Sequence, residues 1–256
     1  MDDNRSRVQQ RFGEFAQNYV SSHVLSAGYS LDRLIELVAP APGRLALDIA
    51  TGGGHVALAL ARQGAAVIAS DLTERMLRTA RAFIQEQNVP ATFIGADALQ
   101  LPFADSTFDI VTTRHAPHHF PDVPQYVREC ARVLRPGGVM GLVDHAGATD
   151  SKVARYVNAF ERLRDPSHVW EYSLPEWESF FVSAELRPTH SEVSGLRLNF
   201  NWWTQVQHDD AETVLRLRVM LKQAPADVAA WLEPDMPDGG EASFTRWQVI
   251  LIGVKA

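Results

Sequence analysis

Three of the chain's nine histidines fall within five positions of the segment Thr113-Arg114-His115-Ala116-Pro117-His118-His119-Phe120. Imidazole titrates near neutrality, so such a group can hold a metal, move a proton or hydrogen-bond a loop. His115 and His119 are four residues apart and would share a helix face, where an acid could complete a metal site. Pro117 lies between them and disfavours helical backbone at Ala116. No Asp/Glu cluster of the kind that holds magnesium stands nearby, so no metal is expected.

A second chemistry-bearing stretch is Asp48-Ile49-Ala50-Thr51-Gly52-Gly53-Gly54-His55. Glycines between a strand and a helix let backbone approach a ligand, and the helix start offers unpaired N–H groups. Gly52, Gly54 and Ala57 fit the dinucleotide spacing G-x-G-x-x-A, a pattern that a ligand-free turn can also show. Asp71 follows at the end of the next apolar run, where a carboxylate can accept both hydroxyls of a ribose. Asp97, in Gly95-Ala96-Asp97-Ala98, stands at the end of the run after that. A single such acid reads as a helix cap or loop residue. Three at consecutive strand ends beside a glycine loop point to a ligand. Asp48 also bears on which ligand, because a carboxylate there would repel a pyrophosphate. S-adenosylmethionine has no phosphate and carries a sulfonium and an ammonium.

These residues need a scaffold that brings strand ends together. Strand-like runs at 44–50, 65–71, 91–96, 108–113 and 138–145 alternate with helical patterns at 55–63, 73–87 and 123–134. This alternation predicts a parallel sheet covered by helices on both faces. Arg135-Pro136-Gly137-Gly138 reads as a helix end followed by a turn. Two amphipathic helices at 5–20 and 26–39 precede the alternating region. After it come helical patterns at 149–163 and 175–184 and a strand near 187–194. Two or three further helices follow between 202 and 232, before a closing strand at 247–254. The expected division is an N-terminal helical lid at 1–40, a cofactor-binding core at 41–146, and at 147–256 the rest of the sheet with a helical insertion.

Composition sets limits on partners. With 256 residues, 46% hydrophobic and 21% charged, the chain has the balance of a soluble globular protein. A net charge of −7 and scattered arginines disfavour nucleic acid. No apolar run is long enough to span a bilayer and the polar start lacks a signal peptide's apolar stretch, so a cytoplasmic protein is expected. The single cysteine, Cys130, excludes an internal disulfide and a cysteine-based zinc cage, and its helical apolar surroundings predict a packing role.

The segments LALDIATGGGH, VIASDLTERML, GADALQLPFADSTFDIVTTRHAPHHFPD and ARVLRPGG occur in order over about 100 residues. Together they resemble the class I S-adenosylmethionine-dependent methyltransferases, and in particular the branch with the quinone-biosynthesis C-methyltransferases. The resemblance implies a Rossmann-like, seven-stranded, mostly parallel α/β sheet with its last strand antiparallel. It implies that Gly52 and Gly54 bring backbone to the methionine part of the cofactor, with Asp48, Ala50 and Thr51 in the same loop. Asp71 would hold the ribose, Leu72 would pack on the adenine, and Asp97 with the Ala98 N–H would read the adenine edge. Thr113 and Arg114 would offer backbone carbonyls to the methionine ammonium. Apart from the resemblance, Tyr19 on the first helix is expected to line the acceptor pocket or to close over the cofactor. Ala50 departs from the pattern, standing where the family usually has its first glycine, and an ordinary backbone conformation is expected there.

Methyl transfer from a sulfonium needs alignment and exclusion of water, and needs a base only where the acceptor must lose a proton. By the resemblance His119 holds the loop, while His115 and His118 occupy variable positions and are the catalytic candidates. Aromatic residues at Phe12, Phe15, Tyr19, Trp170, Tyr172, Trp177, Phe180, Phe181, Trp202, Trp203 and Trp231 have the spacing of core helices. They leave room for an apolar or aromatic acceptor under a lid. The expected activity is methylation of a small molecule on carbon or oxygen, with S-adenosylhomocysteine as product. A nicotinamide-dependent oxidoreductase and a non-catalytic adenosylmethionine-binding protein are the alternatives.

Overall fold

Leu45–Ile49 is an apolar run interrupted only by Asp48, and it forms β1 near the middle of a seven-stranded sheet. The computed structural model describes residues 4–10, 28–206, 209–237 and 240–256. The other strands are β2 (Ala66–Asp71), β3 (Thr92–Gly95), β4 (Phe108–Arg114), β5 (Leu134–His145), β6 (Leu186–Asn199) and β7 (Ser243–Lys255). Their order is β3-β2-β1-β4-β5-β7-β6. Strands β1 to β5 are parallel, and β7 runs antiparallel to both β5 and β6. The chain steps outward from β1 to β3 and then returns to the other side of β1. Such a switch point opens a crevice at the carboxyl ends of β1 and β4, where open α/β sheets bind ligands.

Helices α1 (Tyr29–Val38), α2 (His55–Arg62) and α3 (Glu74–Glu86) cover one face of the sheet. Leu31, Leu34 and Val38 recur at helical spacing on the buried side of α1, and Leu60 and Ile84 continue the same core. On the opposite face lie α4 (Val123–Val133) and α6 (Leu174–Ser183), which bury Tyr126, Val127, Trp177 and Phe181. Cys130 belongs to this core and is fully buried, as its helical surroundings predict. A third core unites α5 (Ser151–Arg164), α7 (Phe200–Gln205), α8 (Ala211–Lys222) and α9 (Ala226–Leu232) with the outer ends of β6 and β7. There Phe160 stacks on Trp203 with ring centroids 5.1 Å apart. Trp177, Phe181 and Trp203 are therefore core residues.

Two expectations change in detail. Arg135–Gly138 does not separate α4 from its strand, because β5 begins at Leu134 and takes these residues in. The turn chemistry is absorbed by a register irregularity against β4 between Phe108 and Ile110, with Gly137 in the left-handed region at φ 76°. The first helix is described only at 4–10, so Phe12, Phe15 and Tyr19 lie outside the described residues.

Glycine at 141 sets how closely α1 meets the sheet. A Cβ there would stand 2.5 Å from Val38 Cγ1 and 2.6 Å from Leu34 Cδ1. Gly141→Ala should overpack this contact and lower stability by about 1–3 kcal/mol in urea unfolding. An unchanged midpoint would show that α1 is not held at this distance.

Candidate active site

The loop from β1 to α2 is shaped by three left-handed residues, Ala50 (φ 52°), Gly52 (φ 55°) and Gly54 (φ 87°). The ordinary conformation expected for Ala50 is thus overturned. Its methyl group tolerates the left-handed region at a cost of about 1–2 kcal/mol, so the loop keeps the shape a glycine would give it. Gly52 donates its N–H to Asp71 Oδ2 at 3.0 Å. Gly54 serves packing: a Cβ there would meet Ala80 Cβ and Ile84 Cδ1 of α3, each at 3.1 Å.

Asp48 is buried beneath the loop. It accepts Thr51 Oγ1 at 2.7 Å on one oxygen and Thr112 Oγ1 at 2.9 Å on the other. Burial raises its carboxyl to about 6 despite these hydrogen bonds. Asp71 is held in the same way by the N–H groups of Gly52 and Thr73, and burial raises it also to about 6. Asp97 accepts the Leu99 N–H at 2.9 Å and pairs with Arg5 at 2.5 Å.

A cavity joins these groups at the strand ends. Its wall includes Asp48, Ala50, Thr51, Gly52, Asp71, Leu72, Asp97, Ala98 and Arg114. His115, His119 and Phe120 line its far side, and Asn4, Arg5 and Val8 line it from the N-terminal segment. That segment is helical at 4–10 and is tied down by Asn4 Nδ2 on the His119 carbonyl (2.8 Å) and Gln9 Nε2 on the Leu72 carbonyl (3.1 Å). Gly54, Thr113 and His118 are not part of the cavity wall. Thr113 is buried, with its hydroxyl donated to the Thr112 carbonyl. Tyr19 lies outside the described residues.

Behind the far wall the histidines divide by partner. His115 has a left-handed backbone (φ 54°) and a buried Nδ1 with no hydrogen-bond partner. His118 Nδ1 meets Asp144 Oδ1 at 2.6 Å, and its ring stacks on that of His145 at 4.1 Å. His119 Nδ1 lies 3.2 Å from Ser167 Oγ. His145 faces Arg246, a buried guanidinium that also bonds Glu161 and Glu171. Burial holds His115, His118 and His145 well below the ordinary imidazole value and raises Asp144 to about 7. Donor atoms of His118, Asp144 and His145 lie within 4.8 Å of one another, a group that could hold a metal ion. His118 Nδ1 and Asp144 Oδ1 are already joined to each other, and His145 Nδ1 faces the Arg246 cation.

Sequence reasoning missed Asn4, Arg5, Val8 and His119 as cavity residues. The first three belong to a segment whose position no local pattern gives. For His119, adjacency to His118 in sequence does not tell which imidazole turns toward the cavity.

The parallel sheet, the switch-point cavity and the acidic glycine loop define a Rossmann-like methyltransferase. A family model described as a methyltransferase domain matches residues 47–142. The uncharacterised methyltransferase YcgJ of Bacillus subtilis is 38% identical over 246 residues, covering 95% of this chain and 97% of its own. Its crystal structure superposes with a TM-score of 0.85 at 34% identity, over 88% of this chain and 97% of that one. BH2331 of Bacillus halodurans gives the same TM-score at 32% identity, over 89% and 99% of the two chains. The demethylmenaquinone methyltransferase of Thermus thermophilus is 37% identical over 133 residues, covering 50% of this chain and 60% of its own. The chain belongs to the class I S-adenosylmethionine-dependent methyltransferases. Adenosylmethionine is its cofactor, and family membership decides against the nicotinamide alternative that the glycine spacing left open. The residues present fit this group: an acidic loop suits a ligand that is cationic and carries no phosphate, and Asp71 lines the cavity at the second strand end.

The raised carboxyls make a pH prediction. Asp48 and Asp71 bind their protons more tightly in the folded than in the unfolded chain, so acidification from pH 7 toward 5 favours the fold through them. The same protonation removes the charge that an ammonium would meet. Adenosylhomocysteine affinity should therefore fall about tenfold between pH 7 and pH 5 for each carboxylate it requires. Calorimetry showing equal affinity at both values would remove Asp48 and Asp71 from binding.

Proposed function

We propose that the protein methylates a small apolar or aromatic molecule on carbon or oxygen, at an atom that gives up a proton. The observation that carries this is the His118–Asp144 hydrogen bond of 2.6 Å, set beside a cofactor cavity whose far wall includes His115. A carboxylate fixed on Nδ1 orients an imidazole and leaves Nε2 as its basic nitrogen. His115 and His118 are the acid/base residues of this reading. Asp48, Ala50, Thr51, Gly52, Asp71, Leu72, Asp97, Ala98 and Arg114 hold the cofactor, with Gly54 and Thr113 supporting that wall from behind. The bound cofactor supplies an electrophilic methyl group on a sulfonium. The chain aligns the acceptor with it, keeps water out and receives the proton. The Thermus relative, a demethylmenaquinone methyltransferase, supports an aromatic or quinone-like class. The acidic chain supports the absence of a nucleic-acid partner, and a cytoplasmic location belongs to the same proposal. Among the described residues no helix is long and apolar enough to cross a membrane.

A methyl-transfer screen over phenolic, quinone-like and carboxylate acceptors should identify turnover with the first two. With that acceptor, His115→Gln and His118→Gln should each lower turnover by about 10²-fold or more with cofactor affinity unchanged. Full turnover in both variants would sink the proton-transfer reading.

Residues 4–10 act as a lid in this proposal, supported by the contacts of Asn4, Arg5 and Gln9 at the cavity, whereas Tyr29–Val38 of the expected 1–40 lid packs in the core against the sheet. Adenosylhomocysteine should slow amide exchange over 4–10. Identical exchange with and without it would exclude a lid closing on cofactor.

A further inference from the structure

We propose that Arg5 is a positioning residue for the cofactor's adenine, acting through Asp97 and fastening residues 4–10 over that end of the cavity. This rests on the reading that Asp97 holds the cofactor, and it adds a residue that no strand end supplies. Arg5 and Asp97 both line the cavity, and Arg5 Nη2 lies 2.5 Å from Asp97 Oδ2. The other carboxylate oxygen, Oδ1, accepts the Leu99 N–H at 2.9 Å.

The two oxygens have supports of different origin. Oδ1 belongs to a local turn, in which the Asp97 carbonyl also accepts the Gln100 N–H at 3.0 Å. The turn is joined to the sheet by the Ala96 N–H, donated to the Asp71 carbonyl at 3.0 Å. Among the described residues the partner of Oδ2 is Arg5, which comes from the far end of the chain. A guanidinium carries donors and no acceptor, whereas each carboxylate oxygen has two lone-pair sites. Arg5 therefore takes one site, fixes the direction of the carboxylate and leaves it able to accept a further donor. The exocyclic amine of adenine is such a donor. Arg5 cannot accept from that amine, so its part is to orient the group that does.

The segment is held on both sides of this pair. Asn4 Nδ2 donates to the His119 carbonyl at 2.8 Å and Gln9 Nε2 to the Leu72 carbonyl at 3.1 Å. Leu72 follows β2, Asp97 follows β3 and His119 follows β4, so one short helical segment reaches past the ends of three strands. Two of these contacts are neutral, and the one at Asp97 is ionic. The side chain of Arg5 is 45% exposed and that of Asp97 24%, so without cofactor water and salt weaken the pair. A purine laid against it displaces that water and strengthens the attraction. The pair thus holds loosely before the cofactor enters and more firmly over a bound adenine. That is the behaviour needed of a segment that lifts to admit a ligand and then settles on it.

Calorimetry of the full chain with adenosylhomocysteine tests this without any acceptor. Arg5→Ala should weaken binding about two- to fivefold at low salt, the worth of a partly exposed ion pair. The ratio between the unaltered chain and the variant should shrink toward one in about 1 M salt, where charges are screened beyond about 3 Å. Asp97→Asn should also weaken binding, and Arg5→Ala added to it should change nothing more. 5′-Methylthioadenosine, which has the adenine and ribose but no amino acid, should depend on Arg5 in the same way. Unchanged or tighter binding in Arg5→Ala overturns the proposal, as does a loss that persists in full beside Asp97→Asn or in high salt. An effect confined to adenosylhomocysteine would put Arg5 at the amino-acid end and overturn it too. Full affinity in Asp97→Asn would remove Asp97 from the proposed cofactor wall, and this inference with it. Weakened binding in Asp97→Asn beside an unaffected Arg5→Ala overturns this inference alone.

Discussion

The site depends on a buried carboxylate at the end of a central strand. Asp48 has almost no contact with solvent, and its oxygens are taken by two hydroxyls, Thr51 from the following loop and Thr112 from the neighbouring strand. Those bonds tie the loop after β1 to β4 across the switch point. They hold the left-handed turn at Ala50 and Gly52 open, and they leave a negative charge at the place where a cationic methionine moiety can be received. Burying that charge raises its proton affinity, an energetic burden that a cationic ligand relieves.

The far wall follows a similar economy of buried polarity. Five imidazoles, those of His115, His118, His119, His145 and His168, stand close together, yet each of four has a specific polar partner. His118 has Asp144, His119 has Ser167, His145 has Arg246, and His168 has Asn158. His115 differs in that its buried Nδ1 has none. Low dielectric makes such pairings strong and makes an unpaired polar atom costly. The cluster also joins parts distant in sequence: Arg246 of β7 bridges Glu161 of α5, Glu171 and His145. The C-terminal half therefore completes the polar cluster behind the far wall of the cavity in addition to closing the sheet.

Much of this was legible in the residues. Alternating apolar runs located five parallel strands to within a few positions, because a strand buried on both faces must be apolar almost throughout. Asp48, Asp71 and Asp97 fall at strand ends, and a doubly wound sheet brings strand ends together, so their meeting in one cavity follows from chain order. Ala50 shows the limit of that logic. Its type argued for ordinary backbone, yet it lies in the left-handed region, within a turn closed by the Thr51–Asp48 hydrogen bond. The Arg135–Gly138 turn likewise gave way to pairing with β4, since a ladder partner outweighed the local turn signal.

The sequence by itself determined the fold class, the glycine loop at the cavity and the location of the histidine segment after the fourth strand. Each of these follows from local pattern and chain order. Tertiary structure alone decided the division of labour among the histidines. His118 and His119 are adjacent and chemically identical, so nothing local distinguishes them. The difference comes from Asp144 on β5 and from Ser167 after α5, which reach one ring each from different directions. Side-chain direction is set by packing between distant elements, and no spacing along the chain encodes it.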